Sequence, residues 1–204
     1  MTDSYPPAPW HMVGQLWLSL FRVRDAIDER RPAGTYGVAF VGYEEGSPLT
    51  YSELLVARPV KHPVKAVSIT DIWVDSPASV AGGRELWAIP KGLADFTRES
   101  RRRAALSTTA WSASVGGTPT VAARFTDVSH LAPRLPFKGA TWQPGLTEGI
   151  GAHGGDRTAA LTGSSRTLPC AAVWDFNPGG PLGWLAGRRP LASFRMTDFS
   201  MSFG

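Results

Sequence analysis

The sequence has little of what several large classes of protein need. It contains a single cysteine, Cys170, so no disulfide can form within the chain, and a reducing compartment fits. No uncharged apolar run approaches the length of a membrane span, and the first nine residues lack the basic and apolar regions of a signal peptide. These absences predict a soluble, cytoplasmic protein with no membrane partner.

The signatures of metal and phosphate chemistry are missing as well. The sequence has no Gly-x-Ser-x-Gly elbow and no phosphate loop, and no histidine has a second ligand at the spacing of a zinc site. We therefore expect no metal and no cofactor. The histidines considered are His11, His62, His130 and His153.

Charge gives no sign of a nucleic-acid partner. The net charge is only +4, and no RNA- or DNA-binding motif accompanies it. The densest charged run, residues 98–103, reads Arg-Glu-Ser-Arg-Arg-Arg. Most such runs are solvated surface, and a phosphate-binding patch is the alternative.

Glycine, proline and tryptophan are abundant by contrast. Gly 22 and Pro 17 are spread along the 204 residues and favour many turns over long helices, while Trp 8 supplies large rigid apolar surfaces. The length and 43% apolar content suit one domain, residues 1–204. The pattern predicts a mainly β protein of the α+β type, an antiparallel barrel or curled sheet. The predicted strands are residues 12–23, 36–43, 51–59, 64–74, 105–115, 120–126, 141–150, 158–161, 171–175 and 191–203.

One or two short helices complete this prediction. The charged residues 24–31 suit a single helical turn. Ser76 and Pro77 resemble an N-cap followed by the first helical position, and this helix would cover residues 77–81 and end at Gly82-Gly83.

The stretch after this helix, residues 82–92, places one lysine among apolar residues. If residues 85–89 are extended, alternation puts Glu85, Trp87, Ile89 and Lys91 on one face. A desolvated lysine loses its proton more easily, and a neutral amine attacks carbonyl carbon. The alternative is a lysine whose stem lies along the surface and whose charge stays in water.

The run from Ala81 to Lys91, Ala-Gly-Gly-Arg-Glu-Leu-Trp-Ala-Ile-Pro-Lys, resembles the hallmark of the acetoacetate decarboxylase family. Residues 75–80 resemble the acidic, proline-containing helix start before that motif. Tyr51-Ser52-Glu53 lies where the family has an aromatic residue, a hydroxyl residue and a glutamate, and Pro9-Trp10 matches a Pro-aromatic pair. The resemblance is good over residues 5–97.

The resemblance implies a closed, cone-like β-barrel around a water-poor cavity, in a family that often assembles into oligomers. It implies that Lys91 forms a Schiff base with a ketone and that Glu53 is the general acid and base. The decarboxylase is itself an established example of an activated lysine. Lowering a lysine pKa from about 10.4 to about 6–7 requires about 5 kcal/mol. We expect desolvation by Trp87, Ile89 and Leu93 to supply it.

Three positions depart from the pattern that the resemblance implies. Gly92 stands where the decarboxylase has a second lysine, and apolar Val38 aligns near a second carboxylate. Gln15 aligns with the substrate-handling arginine, so it would orient substrate by hydrogen bonds rather than by charge. Trp87 and Ile89 would contact the substrate, and Arg84 and Glu85 would form a supporting charged pair.

These residues predict a carbon–carbon lyase that decarboxylates a small-molecule keto substrate, a β-keto acid by default. An aldolase, dehydratase or cyclase acting on a larger, less anionic substrate is the first alternative. A non-catalytic binding barrel that retains Lys91 as a relic is the second. A homo-oligomer is a further expectation from the family.

Overall fold

The computed structural model describes residues 4–152 and 154–204. This part of the chain is mostly strand, with α-helix α1 and two 3-10 turns at Ser129–Leu131 and Gly183–Leu185. The elements are β1 Trp10–Val23, β2 Gly34–Tyr43, β3 Tyr51–Val60, β4 Ala66–Val74, α1 Pro77–Trp87, β5 Gly92–Leu93, β6 Asp95–Arg103, β7 Leu106–Val115, β8 Thr118–Asp127, β9 Arg134–Gln143, β10 Arg157–Pro169, β11 Ala171–Phe176 and β12 Ala192–Phe203.

Seven strands close into a barrel in the order β3-β2-β1-β12-β10-β9-β4, because β4 also pairs with β3. The ring is antiparallel except where β4 meets β9 in parallel at Val67 and Thr141. Short β5 pairs in parallel with the far end of β4. The predicted mainly β barrel is confirmed, and the parallel contact that closes it was not anticipated.

A second sheet, in the order β11-β8-β7-β6, packs against the outside of the barrel. The cluster between them joins Trp17 and Phe40 of the barrel to Trp111, Phe125 and Trp174 of the sheet or its edge. Phe40 lies stacked on Trp111 and Trp174, with ring centroids 5.1 and 5.5 Å away. The abundant tryptophans therefore serve the packing of two layers.

A separate apolar cluster fills the barrel interior beside α1 and includes Met12, Tyr43 and Tyr51. Residues of β2 are buried on both faces because one face lines this interior and the other faces the second sheet. Alternation along β2 therefore separates two environments: Val41 and Tyr43 face inward, and Phe40 faces the second sheet.

The helix predictions need two corrections. Residues 24–31 form bends rather than a helical turn. Helix α1 begins at Pro77, with Ser76 as the predicted N-cap, but it runs through Gly82-Gly83 and ends with Ala88 in the left-handed conformation at φ 53°. Residues 85–87 are therefore helical, and the predicted extended face of the lysine stretch is wrong.

The glycine pair lies inside the helix because neighbouring groups come too close for a side chain. A Cβ at position 82 would lie 2.7 Å from the Trp10 ring, and one at position 83 would lie 2.7 Å from Lys91 Cδ. Close approach outweighs the low helix propensity of glycine at both positions. No helix within the described residues is long and apolar enough to cross a membrane.

Candidate active site

Lys91 lies between the end of α1 and the start of β5, where the chain turns back under the helix. Ala88 caps α1 through its N–H, which donates to Arg84 O, and Ile89 N donates to Gly83 O. This turn directs the Lys91 side chain along α1 past Gly83 into the barrel. Of the four lysines in the sequence, Lys91 is the buried one, and Lys61, Lys65 and Lys138 are exposed.

Three polar side chains surround the Lys91 amine. Nζ lies 3.0 Å from Glu53 Oε2, 2.9 Å from Ser79 Oγ and 3.3 Å from Tyr51 Oη. The second carboxylate oxygen of Glu53 accepts a hydrogen bond from Tyr43 at 3.1 Å. Because the lysine and glutamate side chains are only 5% and 4% exposed, each charge depends on the other for compensation.

This pairing reverses the predicted electrostatics of the lysine. Burial by itself lowers the pKa of Lys91, but the adjacent Glu53 carboxylate raises it above the ordinary lysine value. The prediction of a lysine neutralised by Trp87, Ile89 and Leu93 is therefore wrong for the resting site. Leu93 is 52% exposed, so it contributes little desolvation. At neutral pH the resting amine is an ammonium paired with a carboxylate.

The two tyrosines of the site are neutral hydrogen-bonding groups at neutral pH. Burial raises the pKa of Tyr51, and burial together with the neighbouring Glu53 raises that of Tyr43 well above its ordinary value. Tyr43 and Tyr51 also contact each other, with ring centroids 4.4 Å apart. Tyr43 donates to the Glu53 carboxylate, and Tyr51 accepts from the Lys91 amine.

Gln15 is not brought to Lys91. It pairs across the sheet with Gly42, whose missing Cβ would meet Arg98 of the second sheet, so both residues face outward from the barrel. Gln15 Oε1 accepts a hydrogen bond from Arg195 at 2.8 Å, and Gln15 Nε2 donates to Asp198 at 3.1 Å. The predicted role in orienting substrate at Lys91 is therefore not supported by its position.

Trp87 and Ile89 lie in the apolar cluster of the barrel interior rather than against the amine. Trp87 meets Trp10 and Phe203 edge-on, with centroids 4.8 and 4.7 Å away. Ile89 is 3% exposed. Val38 is fully buried between the barrel and the second sheet. These side chains therefore anchor α1 and the barrel wall, and the contact of Trp87 and Ile89 with substrate stays a prediction.

Arg84 and Glu85 bind other parts of the chain and not each other. Arg84 Nε donates to Ile150 O at 2.8 Å and Nη2 donates to Glu148 O at 2.7 Å, while Nη1 reaches Lys91 O at 3.4 Å. Glu85 accepts a hydrogen bond from Tyr5. Both contacts are supporting in kind, but the predicted pair between the two residues is not formed.

Sequence reasoning missed Ser79 and Gly83 as parts of the site. Both lie on α1, four residues apart, on the face that the lysine crosses. The four-residue spacing of Ser79 and Gly83 places them on one face only if the helix continues through Gly82-Gly83. The sequence predicted that the helix ends there. The sequence places Tyr43 on a predicted strand and Tyr51 as the aromatic residue of the motif before Glu53, without a contact to Lys91 for either.

Gly83→Ala is expected to reduce activity at least about tenfold while changing the free energy of unfolding by less than about 2 kcal/mol. The added methyl group would overlap the Lys91 side chain and displace its amine from Glu53 and Ser79. Gly82→Ala is the contrasting variant, because its methyl group meets Trp10 and Tyr5 instead. Steady-state kinetics and urea unfolding measure both effects. Equal losses of activity in the two variants would contradict this role for Gly83.

A cavity of about 490 Å³ lies on the other side of the lysine segment. Ala88, Pro90 and Arg84 form one wall, and Trp142 and Ile69 form others. The Lys91 amine does not line it, because its three polar partners enclose it. A molecule in this cavity would reach Nζ only by displacing part of this enclosure.

Within residues 4–152 and 154–204, no cluster of three or more His, Cys, Asp or Glu side chains could hold a metal ion. His153, one of the histidines considered from the sequence, lies outside the described residues.

The fold and the site together define a closed β-barrel protein with a buried lysine–glutamate pair. The family model of acetoacetate decarboxylase (ADC) matches residues 26–140. That match covers more than half of the sequence, so the chain belongs to the acetoacetate decarboxylase family, as its motif predicted.

Solved structures share the fold at low sequence identity. The enduracididine biosynthesis enzyme MppR, complexed with the condensation product of pyruvate and imidazole 4-carboxaldehyde, matches at TM-score 0.62 and 18% identity, over 97% of this chain and 88% of that chain. Acetoacetate decarboxylase from Legionella pneumophila matches at TM-score 0.64 and 14% identity, over 98% and 86%. An acetoacetate decarboxylase-like enzyme from Sphingomonas wittichii matches at 0.62 and 14%, over 98% and 92%. No curated protein matches the sequence.

Proposed function

We propose that this member of the family is an enzyme in which Lys91 forms a Schiff base with a small keto acid. The observation that carries the proposal is the enclosed Lys91–Glu53 pair, with an amine and a carboxylate 3.0 Å apart. An exposed lysine would keep its ammonium in water, whereas this amine can exchange its proton directly with Glu53, its one charged partner among the described residues.

Proton transfer within the pair supplies the reactive form of the lysine. Lys91 passes one proton to Glu53, which leaves a neutral amine and a neutral acid, and removing both charges suits a buried site. The amine attacks the carbonyl carbon, and one of its protons moves to the carbonyl oxygen. Glu53 then returns its proton to the departing hydroxyl, and water leaves. The iminium that results faces the Glu53 carboxylate, so the charge of the resting pair is restored.

Decarboxylation is the first reaction that we propose for this iminium. The electron pair of the breaking carbon–carboxylate bond moves toward the positive nitrogen, CO₂ departs and an enamine remains. A proton then adds to carbon, and water hydrolyses the new iminium to release a ketone and free Lys91. No metal or organic cofactor takes part in this sequence of steps.

An aldol-type condensation or dehydration is the second candidate. Gln15 does not reach Lys91, and the hydrogen-bond partners of Nζ include no arginine that would bind a substrate carboxylate, so these contacts do not select one reaction over the other. MppR shares this fold and was captured with pyruvate and with a condensation product of pyruvate. An enamine formed on Lys91 would supply the carbon nucleophile for such a reaction.

Borohydride trapping tests the shared step of both reactions. Incubation with acetoacetate or pyruvate and then borohydride should fix the substrate carbon skeleton on Lys91, identified by peptide mass spectrometry. Release of acetone and CO₂ from acetoacetate supports decarboxylation, and formation of a condensation product from pyruvate and an aldehyde supports condensation. Absence of any adduct on Lys91 with either keto acid would contradict the proposal and leave a cyclase of a larger substrate or a binding barrel. Cytoplasmic location and homo-oligomerisation stay predictions.

A further inference from the structure

A second cavity, the inter-sheet cleft, opens between the outer face of the barrel and the second sheet. It has a volume of about 530 Å³. Strands β1 and β12 form its barrel side, and β6, β7 and the 3-10 turn at Ser129–Leu131 form the other sides. Its charged lining residues are Glu44, Arg98, Arg102, Arg195 and Asp198, and Gln15 and His130 add polar groups.

Arg195 is held in a fixed position at this cleft. Its guanidinium lies over the Trp17 ring at 3.7 Å from the centroid, its Nη2 donates to Gln15 at 2.8 Å, and its Nε donates to Thr197 at 3.1 Å. Its Nη1 is buried and has no hydrogen-bond partner among the described residues. Burial lowers the pKa of Arg195 to about 10, so the side chain is still a cation at neutral pH. A buried cationic donor without a partner is costly unless a ligand accepts from it.

His130 adds a second set of unpartnered donors or acceptors on the opposite wall. Both of its ring nitrogens are buried, and neither has a hydrogen-bond partner in the described chain. A neutral imidazole carries one N–H, so at least one donor is unsatisfied in this wall.

The backbone around the cleft is shaped to bring these groups together. Gly42 leaves room for Arg98, because a Cβ there would lie 2.4 Å from Arg98 Nη1. Arg98 lies over the Trp111 ring and 3.4 Å from Glu44. On β12, the pairing register shifts beside Asp198, which adopts the left-handed conformation at φ 51° and donates its N–H to Gln15 at 3.3 Å. Such a bulge redirects side chains, and a non-glycine residue adopts this conformation only where its surroundings impose it.

We infer that the inter-sheet cleft binds a small oxyanion, a carboxylate or a phosphate group, between Arg195, Arg98 and Arg102. These three arginines face two lining carboxylates, Glu44 and Asp198, which leaves one positive charge for the ligand. An oxyanion would accept from the free Arg195 Nη1 and from the fork of a second arginine, the geometry that guanidinium groups recognise best.

This site is distinct from the lysine site. Gly42 faces the inter-sheet cleft, whereas its neighbour Tyr43 faces the barrel interior and binds Glu53. The inference therefore stands or fails independently of Schiff-base chemistry at Lys91. It also gives a role to two arginines of the charged run at residues 98–103, for which phosphate binding was the alternative interpretation.

Thermal unfolding in sodium phosphate, sodium malonate and potassium chloride at equal ionic strength tests the inference. We expect a saturable rise of Tm with phosphate or malonate that potassium chloride does not reproduce. The anion with the lower apparent Kd, phosphate or malonate, identifies the ligand group as a phosphate or a carboxylate. Arg98→Gln and Arg195→Gln should each weaken binding at least about tenfold.

Arg101→Gln is the matched control, because Arg101 carries the same charge on the same strand but points away from the inter-sheet cleft by alternation. Its apparent Kd should equal that of the unmodified protein. Arg195→Gln also removes packing on Trp17 and so affects stability. Arg98 is half-exposed, so Arg98→Gln tests binding in a variant that keeps the fold. The inference is overturned if neither anion gives a saturable shift beyond potassium chloride, or if Arg101→Gln weakens binding as much as Arg98→Gln.

Discussion

Lys91→Met is expected to reduce turnover of the keto acid substrate by on the order of 10⁴-fold or more. Methionine fills a similar volume beside Gly83 but has no amine, so no covalent bond to substrate can form. Trapping with borohydride should give no adduct at this position. The remaining binding site would still hold substrate, so KM should change far less than kcat.

Lys138→Met is the matched control for this loss. Lys138 is exposed on β9, and its replacement should leave both turnover and the trapped adduct unchanged. Unchanged turnover in Lys91→Met would exclude the Schiff base, whatever the state of the fold. Circular dichroism at the assay temperature should show that the variant is folded when its rate is measured.

The lysine and its glutamate could be predicted because both are tied to local motifs. Lys91 follows the Gly-Arg-Glu-Leu segment, and Glu53 follows Tyr51-Ser52 on a strand whose alternation is easily read. Their meeting at 3.0 Å depends on the barrel, which places the end of α1 beside β3. The resemblance supplied that proximity, since local pattern carries no information on long-range contacts.

The electrostatics of the pair could not be predicted from composition. The apolar neighbours Trp87 and Leu93 suggested a desolvated, neutral amine, but burial was only one of two opposing effects. The Glu53 carboxylate raises the pKa of Lys91 and so opposes the effect of burial, and the net shift is upward. Only the folded chain brings these two residues, 38 positions apart, together. A residue's neighbours in sequence are a poor guide to its neighbours in space.

The location of Gln15 depends on which face of β1 its side chain occupies. On β1 it alternates with residues of the barrel interior, and a shift of one residue exchanges the two faces of a strand. The bulge of β12 at Asp198 lies opposite Gln15, and no turn residue or proline marks it in the sequence. Gln15 therefore aligns in sequence with a substrate-handling residue of the family, but its side chain lies in the inter-sheet cleft.

A double-mutant cycle should show how strongly the buried pair is coupled. Lys91→Met alone leaves the Glu53 carboxylate buried without its cation, and we expect a loss of about 3–5 kcal/mol in the free energy of unfolding at pH 7. Adding Glu53→Gln removes the unpaired charge and should recover most of that loss, as measured by urea unfolding. A double variant no more stable than Lys91→Met would show that packing rather than charge sets the cost.

The stability lost in Lys91→Met should also depend on pH in a defined direction. In the unmodified protein the pKa of Lys91 is raised, so its stabilising contribution is complete below about pH 10.4 and is lost as pH rises through the folded-state pKa. In Lys91→Met that contribution is absent, so the difference in the free energy of unfolding between the unmodified protein and the variant should shrink as pH rises through the folded-state pKa of Lys91. Urea unfolding at about pH 7 and again above about pH 10.4 measures this change. A difference that stays constant over this range would contradict a Lys91 ammonium stabilised by Glu53, and with it the proton exchange that makes the Lys91 amine reactive.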